Sequence, residues 1–438
     1  MILRSINVDS PLLEKALKVA IAVGIPLFMF SCKTLDQDKS KHPIDERIIS
    51  GDTDNYFQGI LIYDPQKKDT LYDRNSKRYF TPASNTKIFT LFAALKTLPE
   101  KIPSLRYMAQ NDTLFMEGTG DPTFLHPFFK DSSLIKLAKP YTHILLSLSN
   151  FKDTRYGPGW AWDDYDHYYS AERNGFPLYG NVVHIHKTDS LQVTPANFRE
   201  KVIPLKFVRN REWDQNTFYF DPDRKDTLET PFIGDSTLIK KLLSTALHKE
   251  VRLVPDLPQI AKQTMYSVPS DSLYKRMMYE SDNFLAEQLL ILVSSTLSDT
   301  LNSNKAREHI LATYLTELRQ PPRWVDGSGL SRYNLFTPES MVHVLNEMYR
   351  EIPRDRLLGL FPIGGVSGTL KDRFKGDGQP YIYAKSGALG NTYNLSGYLL
   401  TRSGKMLIFS FMNNHFTKSP QEVRHTMESV FEWYRDHY

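Results

Sequence analysis

The chain has 438 residues, of which 41% are hydrophobic and 24% charged, with 22 glycines, 26 prolines and one cysteine. At about 150 residues per domain this is ordinary globular sequence for two or three domains, which excludes a disordered, collagen-like or multi-span membrane chain. The net charge is +4, the signs are mixed along the chain and no run of five Lys/Arg occurs. That argues against a nucleic-acid binder held by phosphate contacts, and the lone cysteine excludes a disulfide framework and a Cys-based zinc site.

That cysteine, Cys32, follows Ser31 at the end of an apolar run over residues 19–30 (VAIAVGIPLFMF), which Arg4, Lys15 and Lys18 precede. The run is too short to span a bilayer but suits the apolar core of a secretory signal. An apolar run closed by a small residue and Cys resembles a bacterial lipoprotein signal, in which the Cys is lipidated and becomes the new N-terminus. The expectation is a signal over 1–31, export to the periplasm or cell envelope, and a membrane anchor at lipidated Cys32. A plain signal, or an uncleaved anchor with an incidental Cys, is the alternative. Residues 32–50 are polar and charged and read as a flexible tether.

Residues 56–63 (YFQGILIY) are β-branched and aromatic and predict a strand, ended by Asp64-Pro65, with 69–79 pairing back as a hairpin. After Pro82 and Ser84 the apolar residues Ile88, Leu91, Phe92 and Leu95 recur at helical spacing. Residues 99–262 change character: they are rich in Tyr, Trp, Asp and Pro, with short β-like runs at 144–148, 182–186, 205–208 and 218–220. They read as a mainly β inserted module, with the Tyr/Trp cluster at 156–169 in its core and His184 and His186 as a surface pair on one strand face. Helical patterns return at 272–297, 303–319 and 337–349. Strand-like runs follow at 381–385, 394–401 and 406–412, then a helix over 420–437. The fold class is α+β, with a discontinuous core (51–98 and 263–438) around the insertion.

Three short constellations carry potential chemistry. In Ser84-Asn85-Thr86-Lys87 the hydroxyl and the ammonium share a helix face, and the lysine can serve as the base that a serine nucleophile needs. Ser281-Asp282-Asn283 sets a hydroxyl and a carboxamide at a helix edge. Lys385-Ser386-Gly387-Ala388 ends a strand, where an ammonium, a hydroxyl and a glycine make an edge for a carboxylate. Taken singly, each is equally a helix cap with a solvated neighbour or a strand ending in a turn.

Together, and in this order, they resemble the signature of penicillin-binding proteins and serine β-lactamases. The chain is similar to the D-alanyl-D-alanine carboxypeptidase/endopeptidase family, the class C low-molecular-mass penicillin-binding proteins, from about residue 50 to its end. GDPT (120–123), WAWDD (160–164), DGSGLSR (326–332), GVSGTL (365–370) and LSGY (395–398) match further family stretches. The resemblance implies a transpeptidase-like core of an antiparallel sheet flanked by helices. It implies Ser84 as acyl-enzyme nucleophile, Lys87 as general base and Ser281 as proton relay to the leaving D-alanine. Asn283 would hold the substrate amide, and Lys385 and Ser386 the terminal carboxylate. Gly387 would let the substrate backbone lie close, and Ala388 with Ser84 would supply oxyanion N–H groups. Ser328, Gly329, Leu330 and Arg332 would line the pocket for the stem-peptide side chain. Ser386 replaces the usual Thr, and Ala388 stands where many members carry a second hydroxyl. The implied partners are peptidoglycan stem peptides and β-lactams; no cofactor, metal or nucleic acid is implied. A β-lactamase and a non-catalytic wall-binding lipoprotein of the same fold are the alternatives.

Overall fold

The computed structural model describes residues 42–49 and 55–438. The expected signal and Cys32 lie outside the described residues. Part of the expected tether is helical instead: α1 (Pro43–Ile49) carries Asp45 and Glu46 in its first turn. Its Ile44 and Ile48, one turn apart, are fully buried. A helix this short is marginal by itself, so tertiary burial of that stripe is what holds it.

The chain then enters a sheet through β1 (Phe57–Asp64) and β2 (Asp69–Arg74). In β1, Ile60 and Ile62 face one core and Leu61 the other, the two-residue period of a strand covered on both faces. Helix α2 (Lys87–Thr97) follows.

The insertion starts with β3 (Lys101–Gln110), β4 (Thr113–Gly118), α3 (Ser133–Ala138) and β5 (His143–Ser147). It continues with β6 (Val182–Lys187), β7 (Leu191–Thr194), the short pair β8 (Val202–Ile203) and β9 (Phe218–Tyr219), and β10 (Leu228–Pro231). Helix α4 (Ser236–Leu247) and strands β11 (Val251–Leu253) and β12 (Gln263–Pro269) complete it. One sheet has the order β11-β5-β4-β3-β12 and a second the order β10-β6-β7. They share a core that includes Leu105, Met116, Ile144, Val183, Phe218 and Leu243. The boundary expected at 262 moves to 269, because β12 pairs antiparallel with β3. The strand expected at 205–208 does not form; Pro204 precedes it, and Leu205, Phe207 and Val208 are exposed.

The rest of the core comprises α5 (Ser270–Glu280), α6 (Asn283–Leu297), α7 (Ser303–Thr313), α8 (Pro338–Glu351) and α9 (Arg354–Gly359). Then come β13 (Ile382–Leu389), β14 (Thr392–Leu400), β15 (Met406–Asn414) and α10 (Pro420–His437). The core sheet is antiparallel throughout, in the order β13-β14-β15-β1-β2. On one face α1 and α10 pack Ile44, Val423 and Phe431 against Leu395, Phe409 and Phe411. On the other, α2, α6 and α8 pack Phe89, Leu289 and Val344 against Tyr398, Ile408 and Met412. Helix α6 is buried nearly all round, from Phe284 to Ser295, and its polar Glu287 and Gln288 are buried with hydrogen-bond partners on neighbouring segments. This is the α+β architecture of helices on a central antiparallel sheet. No helix among the described residues is long and apolar enough to cross a membrane.

Candidate active site

The cluster forms where the buried N-terminus of α2 meets the break between α5 and α6 and the end of β13. Residues 83–86 make a 3₁₀ turn that leads into α2. Ala83, fully buried, holds φ +48°, a left-handed conformation uncommon for a residue with a side chain. Such local strain persists only where the surroundings impose it, and here it directly precedes Ser84.

Lys87 stands one turn after Ser84 and is fully buried. Its Nζ lies 3.0 Å from Ser84 Oγ, 2.6 Å from Asn283 Oδ1 and 2.7 Å from the carbonyl oxygen of Ser328. Burial lowers its pKa to about 8, against the opposing pull of Asp326, Asp282 and Glu287. An amine at that value is neutral in a sizeable minority of molecules near physiological pH, far more than an ordinary lysine. The helical pattern expected over 272–297 is broken where chemistry needs it. Ser281 takes φ +56° as the C-cap of α5, and Asp282 caps α6 by accepting from Leu285 N at 3.0 Å. The break turns Asn283 toward Lys87. The Asn283 amide also donates from Nδ2 to the carbonyl of Tyr169 at 3.0 Å, which leaves one N–H of that amide for a ligand. Ser281 is half-buried beside this cluster.

Strand β13 supplies the opposite wall. A Cβ on Gly387 would stand 2.5 Å from the carbonyl oxygen of Pro82 and 3.0 Å from Ser84 N, so only glycine lets the strand approach the turn this closely. Lys385 is fully buried, and its Nζ donates to the Ser386 carbonyl at 2.7 Å. Burial and the neighbouring Lys87 hold its pKa well below the ordinary lysine range. Ser386 Oγ lies 2.7 Å from Thr369 Oγ1. Thr369 was not marked by sequence reasoning as a site residue; its place in the GVSGTL stretch was the available signal. Ala388, beyond Gly387, is exposed.

The 326–332 loop forms the floor. Ser328 and Gly329 are buried, Leu330 is half-buried and Arg332 is exposed. Gly329 has φ +88°, and a Cβ there would fall 1.9 Å from the Ala83 carbonyl oxygen. Glu287, fully buried one turn after Asn283, accepts from Ser328 N at 2.8 Å. Burial pushes its pKa up to about 7, with Asp326 adding to the rise. Asp326 fixes the loop by accepting from Gly329 N (2.8 Å), Ser331 N (2.6 Å) and Asn334 Nδ2 (2.7 Å).

The insertion closes the remaining side. Trp160 Nε1 donates to Asp326 Oδ2 at 2.9 Å, and Tyr169 supplies the carbonyl bound by Asn283. The Tyr/Trp cluster is therefore not simply insertion core. Tyr165 is buried, but Trp162 and Tyr168 are exposed, because the segment's structural task is to bridge to the catalytic loop. His184 likewise turns inward, with Nδ1 3.2 Å from Glu229 Oε1, rather than standing on the surface. Among the described residues no group of three or more His, Cys, Asp or Glu is placed to hold a metal ion.

Comparison with known proteins places this geometry. The model of the D-Ala-D-Ala carboxypeptidase 3 (S13) family matches residues 41–200 and 249–434. The chain is 24% identical over 421 residues to the D-alanyl-D-alanine carboxypeptidase DacB of Haemophilus influenzae, covering 82% of this chain and 86% of that protein. It is also 24% identical to the D-alanyl-D-alanine carboxypeptidase of an Actinomadura species, over 84% of this chain and 79% of that one. The crystal structure of penicillin binding protein 4 from Haemophilus influenzae superposes with a TM-score of 0.72 at 21% identity, covering 90% of this chain and 100% of that chain. The family match spans both parts of the core and all of the insertion except residues 201–248, and the chain is an enzyme that belongs to the D-Ala-D-Ala carboxypeptidase 3 (S13) family.

Proposed function

We propose that the protein is an exported serine carboxypeptidase that removes the terminal D-alanine from peptidoglycan stem peptides through an acyl-enzyme on Ser84, and that penicillin acylates the same hydroxyl. One observation carries the reading: a fully buried Lys87 whose nitrogen touches Ser84 Oγ, Asn283 Oδ1 and the Ser328 carbonyl. A neutral amine has two N–H groups and one lone pair. The two obligate acceptors, Asn283 Oδ1 and Ser328 O, take the N–H groups, so the lone pair falls to the Ser84 hydroxyl. In that state Lys87 withdraws the serine proton as Ser84 attacks the carbonyl between two D-alanines.

The remaining parts follow from charge. Burial and Lys87 disfavour the charged form of Lys385 in the empty site, and the substrate's terminal carboxylate, arriving beside it and the Ser386 and Thr369 hydroxyls, would favour the ammonium and bind to it. Ser281 then passes a proton to the leaving amine, and water hydrolyses the ester. The same groups would cut a D-amino-acid cross-link between strands, an endopeptidase activity. Export through the signal at 1–31 and lipidation of Cys32 belong to the same reading, supported by the apolar run that ends at Ser31-Cys32.

The test uses Ser84→Ala and purified muropeptides. The wild-type protein is expected to take one fluorescent penicillin per chain and to release D-alanine, or cross-linked strands, read as product masses. Ser84→Ala is expected to do neither; labelling that survives it assigns the nucleophile elsewhere. Rapid nitrocefin turnover would instead favour a β-lactamase, and Cys32→Ser that still carries lipid would refute the anchor.

A further inference from the structure

The insertion turns two indoles outward beside the catalytic cleft. Trp162 is 70% exposed and Trp213 is 54% exposed, although tryptophan is ordinarily well buried. Their rings meet edge to face, with centres 6.2 Å apart and planes at 79°. Buried Tyr165 backs Trp213 at 4.8 Å between ring centres. The Arg209 guanidinium carbon lies 5.7 Å from the Trp162 ring centre, and its Nη1 donates to the Asp163 carbonyl at 2.9 Å. The turn that carries Trp213 is fixed from within. Arg211, 1% exposed, donates to the carbonyls of Glu212 at 2.7 Å and Trp213 at 3.3 Å, and the Tyr165 hydroxyl donates to the Arg211 carbonyl at 2.8 Å. Burial of a guanidinium is costly, and this one secures the placement of two rings that add little to any core.

Place and charge decide what covers the face. Trp162 belongs to the segment that reaches the catalytic loop: Trp160 Nε1 donates to Asp326 Oδ2 at 2.9 Å. Two residues of chain keep Trp162 within about 7 Å of Trp160. A stem peptide seated at Ser84, extended at about 3.3–3.6 Å per residue, is long enough to leave the sugar that carries it at this rim. Leu205, Phe207 and Val208, on the stretch leading to Arg209, are exposed as well, so the face is apolar beyond the indoles. A carboxylate follows each indole, however. Asp163 and Asp214 are exposed; they oppose the anionic surface of a bilayer and accept from hydroxyl groups. Flat apolar rings rimmed by hydrogen-bonding groups complement a pyranose, whose C–H face is apolar and whose edge carries hydroxyls. Arg209 and Trp213 lie within residues 201–248, outside the family match, so the pair of rings is this chain's own addition to the shared machinery.

We propose that Trp162 and Trp213 form a saccharide-binding platform, which holds the glycan strand from which the stem peptide hangs while that peptide occupies the cleft. The choice of saccharide rests on the peptidoglycan reading of the site.

The experiment titrates the protein with chitotetraose, a β-1,4-linked tetramer of N-acetylglucosamine, by calorimetry. The wild-type protein is expected to bind it, and Trp162→Ala and Trp213→Ala are each expected to weaken binding by about tenfold or more, the size of an aromatic anchor. Trp162→Tyr, which keeps a flat ring, is expected to retain most of the binding. D-Alanine release from a sugar-free acetylated tripeptide is expected to stay within about twofold of wild type in all three variants, since surface changes away from the reacting groups cost little; this also shows that they fold. No binding by the wild-type protein, or binding that both alanine variants retain, overturns the proposal. So does a wild-type protein that ignores the sugar and uses these indoles to hold vesicles of anionic phospholipid or a second copy of the chain. Failure of the acyl-transfer reading looks different: fluorescent penicillin would not label Ser84 and no peptide would be cleaved, whatever the sugar titration shows.

Discussion

At the scale of single residues, the site depends on two buried lysines and on what surrounds them. Acylation of Ser84 needs Lys87 neutral, and burial sets its pKa at about 8. The rate constant for acylation by penicillin is therefore expected to rise with pH through an apparent midpoint near 8. The Glu287 carboxylate pulls this midpoint upward, since a negative charge favours the ammonium form. Glu287→Gln keeps an acceptor for Ser328 N but removes that charge, so the midpoint is expected to move to lower pH. Arg173 Nη1, 3.7 Å from Glu287 Oε2, opposes the shift by neutralising part of the charge. Stopped-flow acylation across pH 6–10 reads the difference; a midpoint unchanged in the variant would show that Arg173 screens Glu287 from the lysine altogether. A merely structural role for Glu287 would lower the rate at every pH without moving the midpoint.

At the scale of elements, precision comes from backbone approaches that only glycine permits. Gly387 brings β13 to the Ser84 turn and Gly329 brings the floor loop to Ala83. Gly387→Ala is expected to slow penicillin acylation by about a hundredfold, because a displacement on the order of 1 Å at a reacting group has that effect. Gly329→Ala adds a positive-φ penalty to a steric one and is expected to cost about 1–3 kcal/mol in urea unfolding as well. Only part of this was legible beforehand. The hairpin, α2, the C-terminal strands and α10 announce themselves by period and by turn residues. The break at Ser281 does not, because a helical apolar period runs straight through it; only the Ser-Asp-Asn composition hints at a cap. Helix α1 was hidden for the opposite reason. Its segment is polar except for Ile44, Ile48 and Ile49, and its burial depends on α10, which lies at the far end of the sequence. Replacing both Ile44 and Ile48 with alanine is expected to cost several kcal/mol by denaturant titration, on the order of 2–5 per buried isoleucine, whereas a tether would be indifferent to the change.

At the scale of the whole molecule, the insertion and the core have separate hydrophobic cores but one shared polar seam. Asn283 and Asp326 each hold a partner from the insertion. Gln288 on α6 accepts from Asn174 N at 3.0 Å and donates to the carbonyls of Gly120 and Asn174, both at 2.8 Å. Arg173 reaches Ser303 on α7 at 2.9 Å. Each of these groups is buried or nearly so, and separating the two units would strand them without partners at about 1–3 kcal/mol apiece. No seam of this kind could be read from the sequence, since it joins residues more than a hundred positions apart with no periodicity to mark them. Its consequence is cooperativity: two cores of this size would ordinarily melt apart, but the stranded polar groups penalise every half-unfolded state. Calorimetry is expected to show a single transition whose midpoint coincides with the loss of fluorescent-penicillin labelling. Trp160→Phe removes one donor from Asp326 and leaves the three within its own loop, so it is expected to lower that one transition by a few degrees without dividing it. Two resolved transitions in the wild-type protein, with labelling lost at only the later one, would mean that the insertion rides on the catalytic core and takes no part in holding it.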